Sequence, residues 1–258
     1  MDHSSDGSMK RTPIKVEKAA ECPEHGPYLS CQLVPRIWSK CPACVDDEAA
    51  AEDRAESERA EREAEARHRD ALATARIPAR FVRRSFKSFV ATTDAQRYAR
   101  STVREYVDGF ADNAHRGRGL VLAGMPGTGK THLATAALQS VITKKVCYVT
   151  CLDLIREVRD TWRRDSERSA TTVLAYLERL DLLVIDEVGV QYGTIGEQTT
   201  LFEVLDRRYR EKRPTILLTN QDREGFKTFI GERGFDRIVE TSRWIPFDWP
   251  SYRPTVRK

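Results

Sequence analysis

With 258 residues and a mass of 29.4 kDa, the chain is long enough for one medium-sized α/β core and a small appendage. Hydrophobic residues make up 40% and charged residues 32%, at a mean hydropathy of −0.55. No run of about 18 apolar residues occurs, so a membrane-spanning helix is excluded. The first residues lack the apolar stretch of a secretory signal, which predicts a cytoplasmic, reducing location. There the six cysteines serve as metal ligands or buried filler rather than as disulfides. The net charge of +4 conceals an asymmetry: residues 46–70 hold eleven acidic side chains against five arginines, a local −6, which leaves +10 for the rest. A basic body favours anionic partners, nucleic acid foremost.

Residues 1–20 are polar and aperiodic, and predict a disordered tail. Residues 21–45 hold four of the six cysteines and almost no helical pattern. Cys22-Pro-Glu-His25 and Cys41-Pro-Ala-Cys44 give the spacing C-x2-H-x15-C-x2-C, two short hairpins of the kind that a tetrahedral Zn²⁺ needs. A segment this poor in apolar residues takes its folding free energy from the metal. Tyr28 and Trp38 are candidates to pack over the site, and Cys31 is a spare thiol that competes with His25 for the fourth position.

Residues 46–76 are built from Ala, Glu and Arg, with no large apolar side chain between Val45 and Leu72. They cannot form a core, but Glu58–Arg62, Glu63–Arg67 and Glu65–Arg69 are favourable i,i+4 pairs. The prediction is a helical spacer of roughly 45 Å.

From Ile77 onward helical and strand signals alternate. A helical period runs through Tyr98, Thr102, Val103, Tyr106, Val107 and Phe110, with Thr93 or Asp94 as its cap. Apolar runs follow at Leu120–Ala123, Val146–Thr150, Leu182–Ile185, Thr215–Thr219 and Trp244–Phe247. Amphipathic stretches lie between them, around 131–142, 152–164, 170–179 and 198–211. This alternation predicts an α/β fold with a parallel sheet covered on both faces. Cys147 and Cys151, at alternating positions of a buried strand, read as apolar filler.

Gly124-Met125-Pro126-Gly127-Thr128-Gly129-Lys130-Thr131 fits G-x-x-x-x-G-K-[ST], with a strand before it and a helix after it. The glycines let successive backbone N–H groups curl onto phosphate oxygens, and the next helix points its partially positive end at the same anion. Lys130 then supplies charge to the β- and γ-phosphates of ATP, and the Thr131 hydroxyl is a ligand for Mg²⁺. Leu182-Leu-Val-Ile-Asp186-Glu187 is the natural partner: a buried strand whose carboxylates emerge at its C-terminal end. Asp186 would hold Mg²⁺ directly or through water, and Glu187 would polarise the attacking water. Thr215-Ile-Leu-Leu-Thr-Asn220 is a further buried strand with a polar tip. Asn220 either bonds the γ-phosphate or lytic water, or caps the helix that begins near Asp222.

From Ile77 to the C-terminus, about 180 of 258 residues, the chain resembles the DnaC/DnaI-type helicase loaders and their IstB-like relatives among the AAA+ ATPases. The residues that carry this are Ile77-Pro-Ala-Arg-Phe81, Gly124–Thr131 with His132-Leu-Ala, Leu182–Glu187, Leu217-Leu-Thr-Asn220, Gly231-Glu-Arg-Gly-Phe-Asp-Arg237 and Phe247-Asp-Trp-Pro-Ser-Tyr-Arg253. The resemblance implies an AAA+ P-loop core over residues 77–258, with the helical lid domain reduced or absent. It makes Lys130 and Thr131 the Walker A pair, Asp186 and Glu187 the Walker B pair and Asn220 the sensor. Arg233 and Arg237 fall where such proteins present an arginine finger to a neighbouring subunit; Arg237 is preferred, with Arg233 as the alternative. Arg253 corresponds to the second sensor arginine. The N-terminal cysteine-rich stretch corresponds to a partner-docking module like that of phage-type loaders.

The implied function is a Mg²⁺-dependent ATPase that binds a replicative DNA helicase of the DnaB type and single-stranded DNA, and assembles with its own copies on ATP binding. Arg80, Arg83, Arg84, Phe86 and Lys87 are candidate DNA contacts, unless that stretch lines the nucleotide base or is simply a solvated edge. The alternatives are an IstB-like transposition helper and a nucleotide-gated interaction protein in which hydrolysis is incidental.

Overall fold

The computed structural model describes residues 16–163, 165–190 and 194–253, and the chain divides into two compact units, residues 1–66 and 67–258. In the first, β1 (Glu17–Cys22), β2 (Gly26–Val34) and β3 (Ile37–Trp38) form an antiparallel sheet in that order. A turn at Gly26, with φ 75°, folds β2 back so that Cys22 pairs with Gly26 and Glu17 with Cys31. The sheet begins inside the stretch expected to be a tail; residues 1–15 lie outside the described residues. Helix α1 (Pro42–Thr74) carries Cys44 in its first turn and runs through the Ala-Glu-Arg segment without burying any residue fully. Its helicity rests on residue propensity and on pairs such as Glu58–Arg62, 3.3 Å apart.

The second unit is organised by a five-stranded parallel sheet: β4 (Gly119–Gly124), β5 (Val146–Thr150), β6 (Leu182–Val188), β7 (Thr215–Thr219) and β8 (Ser242–Phe247), in the order β5-β6-β7-β4-β8. Every apolar run read from the sequence is one of these strands. Their near-uniform apolar character follows from burial on both faces. Leu120, Leu122, Leu182, Val184, Ile216, Leu218 and Ile245 point to one side. There they meet α2 (Asp94–Asp108), the short α3 (Phe110–His115) and α4 (Lys130–Ser140). Val121, Ala123, Cys147, Val149, Leu183, Ile185 and Leu217 point to the other. That side is covered by α5 (Cys151–Asp160), α6 (Ala170–Arg179), α7 (Ile195–Arg210), α8 (Arg223–Ile230) and α9 (Glu232–Thr241).

The caps explain where helices start. Thr93, not Asp94, caps α2: its hydroxyl accepts from the Gln96 N–H, and the Gln96 side chain returns to the Thr93 N–H, a full capping box. The helical period expected to run through Phe110 breaks at Gly109, and Phe110 opens α3. Asp222, rather than Asn220, caps α8 by accepting from the Gly225 N–H at 2.8 Å. Cys151 is the first residue of α5 and not a strand residue. Burial raises the Cys147 thiol and pushes Cys151 up to about 12, as expected of inert filler.

One fully buried cation ties the strand origins to the helices. Arg208 of α7 donates to Leu177 O and to Leu180 O (3.0 Å) at the end of α6. It also donates to Pro214 O (2.6 Å) and Thr215 Oγ1 (2.9 Å) at the start of β7. The carbonyls at a helix end have no partner within the helix, and here the guanidinium supplies one. Burial lowers Arg208 to about 9, so the site holds a desolvated charge that these bonds help to compensate. Arg208→Met strands buried carbonyls and is expected to lower stability by about 1–3 kcal/mol, read as a lower urea midpoint at an unchanged m-value.

Candidate functional site

The segment after β4 turns through three positive-φ glycines: Gly124 (141°), Gly127 (79°) and Gly129 (99°). Contact as well as conformation requires glycine at Gly124, where an added Cβ would lie 2.4 Å from Phe247 O on β8. Gly129 is the N-cap of α4 and sits against the ring of Phe89. The loop is also held from the C-terminal side. The Trp249 indole Nε1–H donates to Thr128 O (3.0 Å), and the Tyr252 N–H donates to Gly127 O (2.9 Å). These bonds occupy loop carbonyls and leave the outward N–H groups to an anion.

Lys130 is buried and folded back, donating to Gly124 O (2.6 Å) and Met125 O (2.9 Å). Burial lowers its ammonium to about 8; Asp186 opposes this and Arg253 adds to it. The Arg253 side chain lies over the loop, its Cδ 3.3 Å from where a Cβ on Gly127 would stand. Three separate stretches of sequence are thus brought together: Lys130 and Thr131, Asp186, and Arg253.

The Thr131 hydroxyl donates to Asp186 Oδ2 at 2.8 Å, joining the start of α4 to the tip of β6. The β6–β7 ladder slips between Ile185 and Val188. Glu187 there adopts φ 59° and is exposed, while Asp186 stays buried. The slip therefore turns two adjacent carboxylates to different environments. Two further residues were not anticipated. Tyr148 of β5 donates its phenol hydrogen to Asp186 Oδ2 at 2.7 Å. Gln221 donates from Nε2 to Gly189 O at 3.0 Å, joining the segments that follow β6 and β7. Asn220 is exposed at the C-terminal end of β7, beside β6.

The two finger candidates separate. Arg237 is turned onto its own chain: it pairs with Asp206 and lies over the rings of Phe202 (5.2 Å) and Tyr209 (5.1 Å). Arg233 is exposed on α9. Of the candidate DNA contacts, Arg80, Arg83, Arg84 and Lys87 are exposed, but Phe86 is buried in the core beneath Arg104. It is not available for stacking on a base.

In the first unit, the ligand atoms of Cys22, His25, Cys41 and Cys44 all lie within 4.8 Å of one another. Neighbouring ligands around tetrahedral zinc with thiolate bonds are about 3.8 Å apart, so three sulfurs and an imidazole at this separation fit Zn²⁺. His25 turns Nδ1 toward the thiols, 3.3 Å from Cys44 Sγ, and gives Nε2 to Asp47 at 3.0 Å. Such a carboxylate fixes the tautomer of a ligating histidine. The N–H groups of Glu24 and then His25 lower Cys22 to about 6, favouring the ligating thiolate. Cys31 lies outside this group, with its thiol 3.6 Å from Glu17.

The model of the family described as IstB-like ATP binding protein matches residues 46–258. The chain belongs to that family. Among curated relatives, the replicative helicase loader DnaC of Escherichia coli (strain K12) is 38% identical over 175 residues, covering 67% of this chain and 70% of that protein. DnaC of Buchnera aphidicola subsp. Schizaphis graminum is 35% identical over 176 residues, with the same coverage. Among solved structures, that of the DnaC helicase loader matches with a TM-score of 0.59 at 23% identity, over 66% of this chain and 99% of that one. Replication initiator DnaA bound to AMPPCP and single-stranded DNA matches with a TM-score of 0.57 at 18% identity, over 68% of this chain and 52% of that one. The second unit of this IstB-like protein therefore shares the fold of these structures, a parallel sheet with a phosphate loop after β4.

The depressed Lys130 gives this site a pH signature. Above about pH 8 the free lysine is increasingly neutral, and a bound polyphosphate restores its charge, so binding takes up a proton. Affinity for ATP should fall as pH rises from 7.5 to 9.5. Calorimetry at pH 8.5 in buffers of different ionisation enthalpy should register the uptake, and Lys130→Met should abolish it.

Proposed function

We propose that this chain is an ATP-hydrolysing helicase loader of DNA replication. The observation that carries the reading is the 2.8 Å bond from Thr131 to Asp186, which sets a hydroxyl and a carboxylate together beside Lys130, with Glu187 as the next residue. The 38% identity to a replicative helicase loader supports its place in replication. The N–H groups of Gly127–Thr131 would hold the triphosphate, and Lys130, released from the loop carbonyls, would neutralise charge on the β- and γ-phosphates. Mg²⁺, held by Thr131 and Asp186, supplies charge neutralisation on those phosphates. Glu187 orients and polarises the attacking water, and Asn220 reaches the same space from the adjacent strand tip. Arg253 reads the γ-phosphate from the C-terminal side. Arg233, exposed where Arg237 is engaged, is the finger given to a neighbouring copy.

The first unit, with zinc held by Cys22, His25, Cys41 and Cys44, docks on the helicase. Leu29, Leu33, Val34 and Ile37 are 51–65% exposed on it, an apolar surface that suits protein contact. Single-stranded DNA is taken by the turn after α5. There Trp162 is 65% exposed, flanked in sequence by exposed Arg156 and Arg159 on α5 and by exposed Arg163 and Arg168 after it, combining a stacking ring with backbone-neutralising charge.

The test combines turnover of labelled ATP with capture of a DnaB-type helicase. The wild-type protein should hydrolyse ATP faster per chain as its concentration rises. Glu187→Gln should lose about 100-fold or more in turnover while still binding ATP. Failure of the wild-type protein to bind ATP would overturn the reading. Loading that persists in Glu187→Gln would replace hydrolysis with nucleotide gating. For the first unit, about one zinc per chain is expected, and Cys41→Ser should lose both the metal and helicase capture while ATP turnover by residues 67–258 persists.

A further inference from the structure

Asp186 has three hydrogen-bond donors on its carboxylate. Oδ2 accepts from the Thr131 hydroxyl at 2.8 Å and the Tyr148 phenol at 2.7 Å, and Oδ1 accepts from the Glu187 N–H at 2.7 Å. Thr131 and Glu187 belong to the two nucleotide motifs; Tyr148 belongs to neither. It reaches Asp186 from the neighbouring strand because of the register: Tyr148 stands opposite Val184, and Thr150 stands opposite Asp186. Tyr148 and Asp186 are therefore diagonal neighbours on one face of the sheet, a spacing that a long aromatic side chain can bridge.

From this geometry we infer that Tyr148 is a positioning residue for Asp186, fixing the carboxylate in the orientation that receives the nucleotide's divalent cation. The inference rests on the ATPase reading above. A carboxylate turns about its last side-chain bond with little resistance, and buried as it is here, its rotation is limited by the donors around it. Thr131 has a single hydroxyl hydrogen to give, and its oxygen must also serve the metal. Tyr148 anchors the same oxygen without competing for the cation, because the phenol remains a donor. The ring is itself fixed. It is buried against the cluster that contains Leu133, Leu182 and Val184, and the Tyr148 N–H donates to Ala75 O at 2.8 Å. Partners of this kind around metal-binding carboxylates are typically worth about 10–100-fold in metal affinity.

Tyr148→Phe removes the hydroxyl and keeps the ring. Binding of a fluorescent ATP analogue is measured in the full chain, first in EDTA and then as Mg²⁺ is titrated in, beside thermal melting. The expected result is metal-free affinity within two-fold of wild type and a Mg²⁺ midpoint raised about 10-fold. In an Asp186→Asn background, the same substitution should produce no further shift. Tyr106→Phe deletes another buried phenol, one that donates to Arg118 O at 3.0 Å, and should leave the midpoint where it is. A Tyr148→Phe midpoint within two-fold of wild type would overturn the inference. So would an equal loss of binding with and without Mg²⁺, or a loss of fold seen in Tyr148→Phe but not in Tyr106→Phe. If the wild-type protein binds no nucleotide under either condition, the ATPase reading fails first and takes this inference with it.

Discussion

The carboxylate of Asp186 is where separately encoded parts of the chain become one site. Its oxygens take hydrogens from α4, β5 and its own backbone, so three elements must be in register before it can point anywhere useful. Burying an ionised carboxylate is costly unless such bonds replace its water. The same bonds that make the charge tolerable also aim it. The sheet order serves this arrangement, since β6 lies between β5 and β7 and brings Tyr148 and Asn220 to either side of the Asp186–Glu187 pair.

The phosphate loop, which follows β4 on the far side of β7 from β6, has a comparable logic. Gly124 is pressed so closely on Phe247 O that no side chain fits. Trp249 and Tyr252 take loop carbonyls as acceptors. The curve of the loop is thus fixed from outside, and its N–H groups remain directed at a ligand. Lys130 bonds the carbonyls of Gly124 and Met125.

Much of this was legible in the sequence because it depends on local spacing. The five apolar runs became the five strands, since parallel strands covered on both faces have no polar side to interrupt the pattern. The cysteine and histidine spacing assembled the cluster of Cys22, His25, Cys41 and Cys44. What escaped depends on pairing between distant strands. The role of Tyr148 follows from its register with Val184, and nothing in Val-Cys-Tyr-Val-Thr announces that register. Phe86 read as an aromatic beside basic residues, yet it was drawn into the core, where burying a phenyl ring contributes more than exposing it. Arg237 and Arg233, equivalent by spacing, were separated by Asp206, Phe202 and Tyr209 on α7, partners that lie about 30 residues earlier in the chain.

Strand β4, fourth in the sheet, has its neighbours late in the chain. Its partners are β7 and β8, with Leu120 opposite Ile216 on one side and Arg243 on the other. Contacts this distant in sequence slow folding and leave strand edges uncovered in the interim. During synthesis, β4 and the loop it launches must wait for the residues through Phe247 to leave the ribosome. The loop therefore takes its binding shape among the last events of folding, and chaperone demand should concentrate on this half-built sheet.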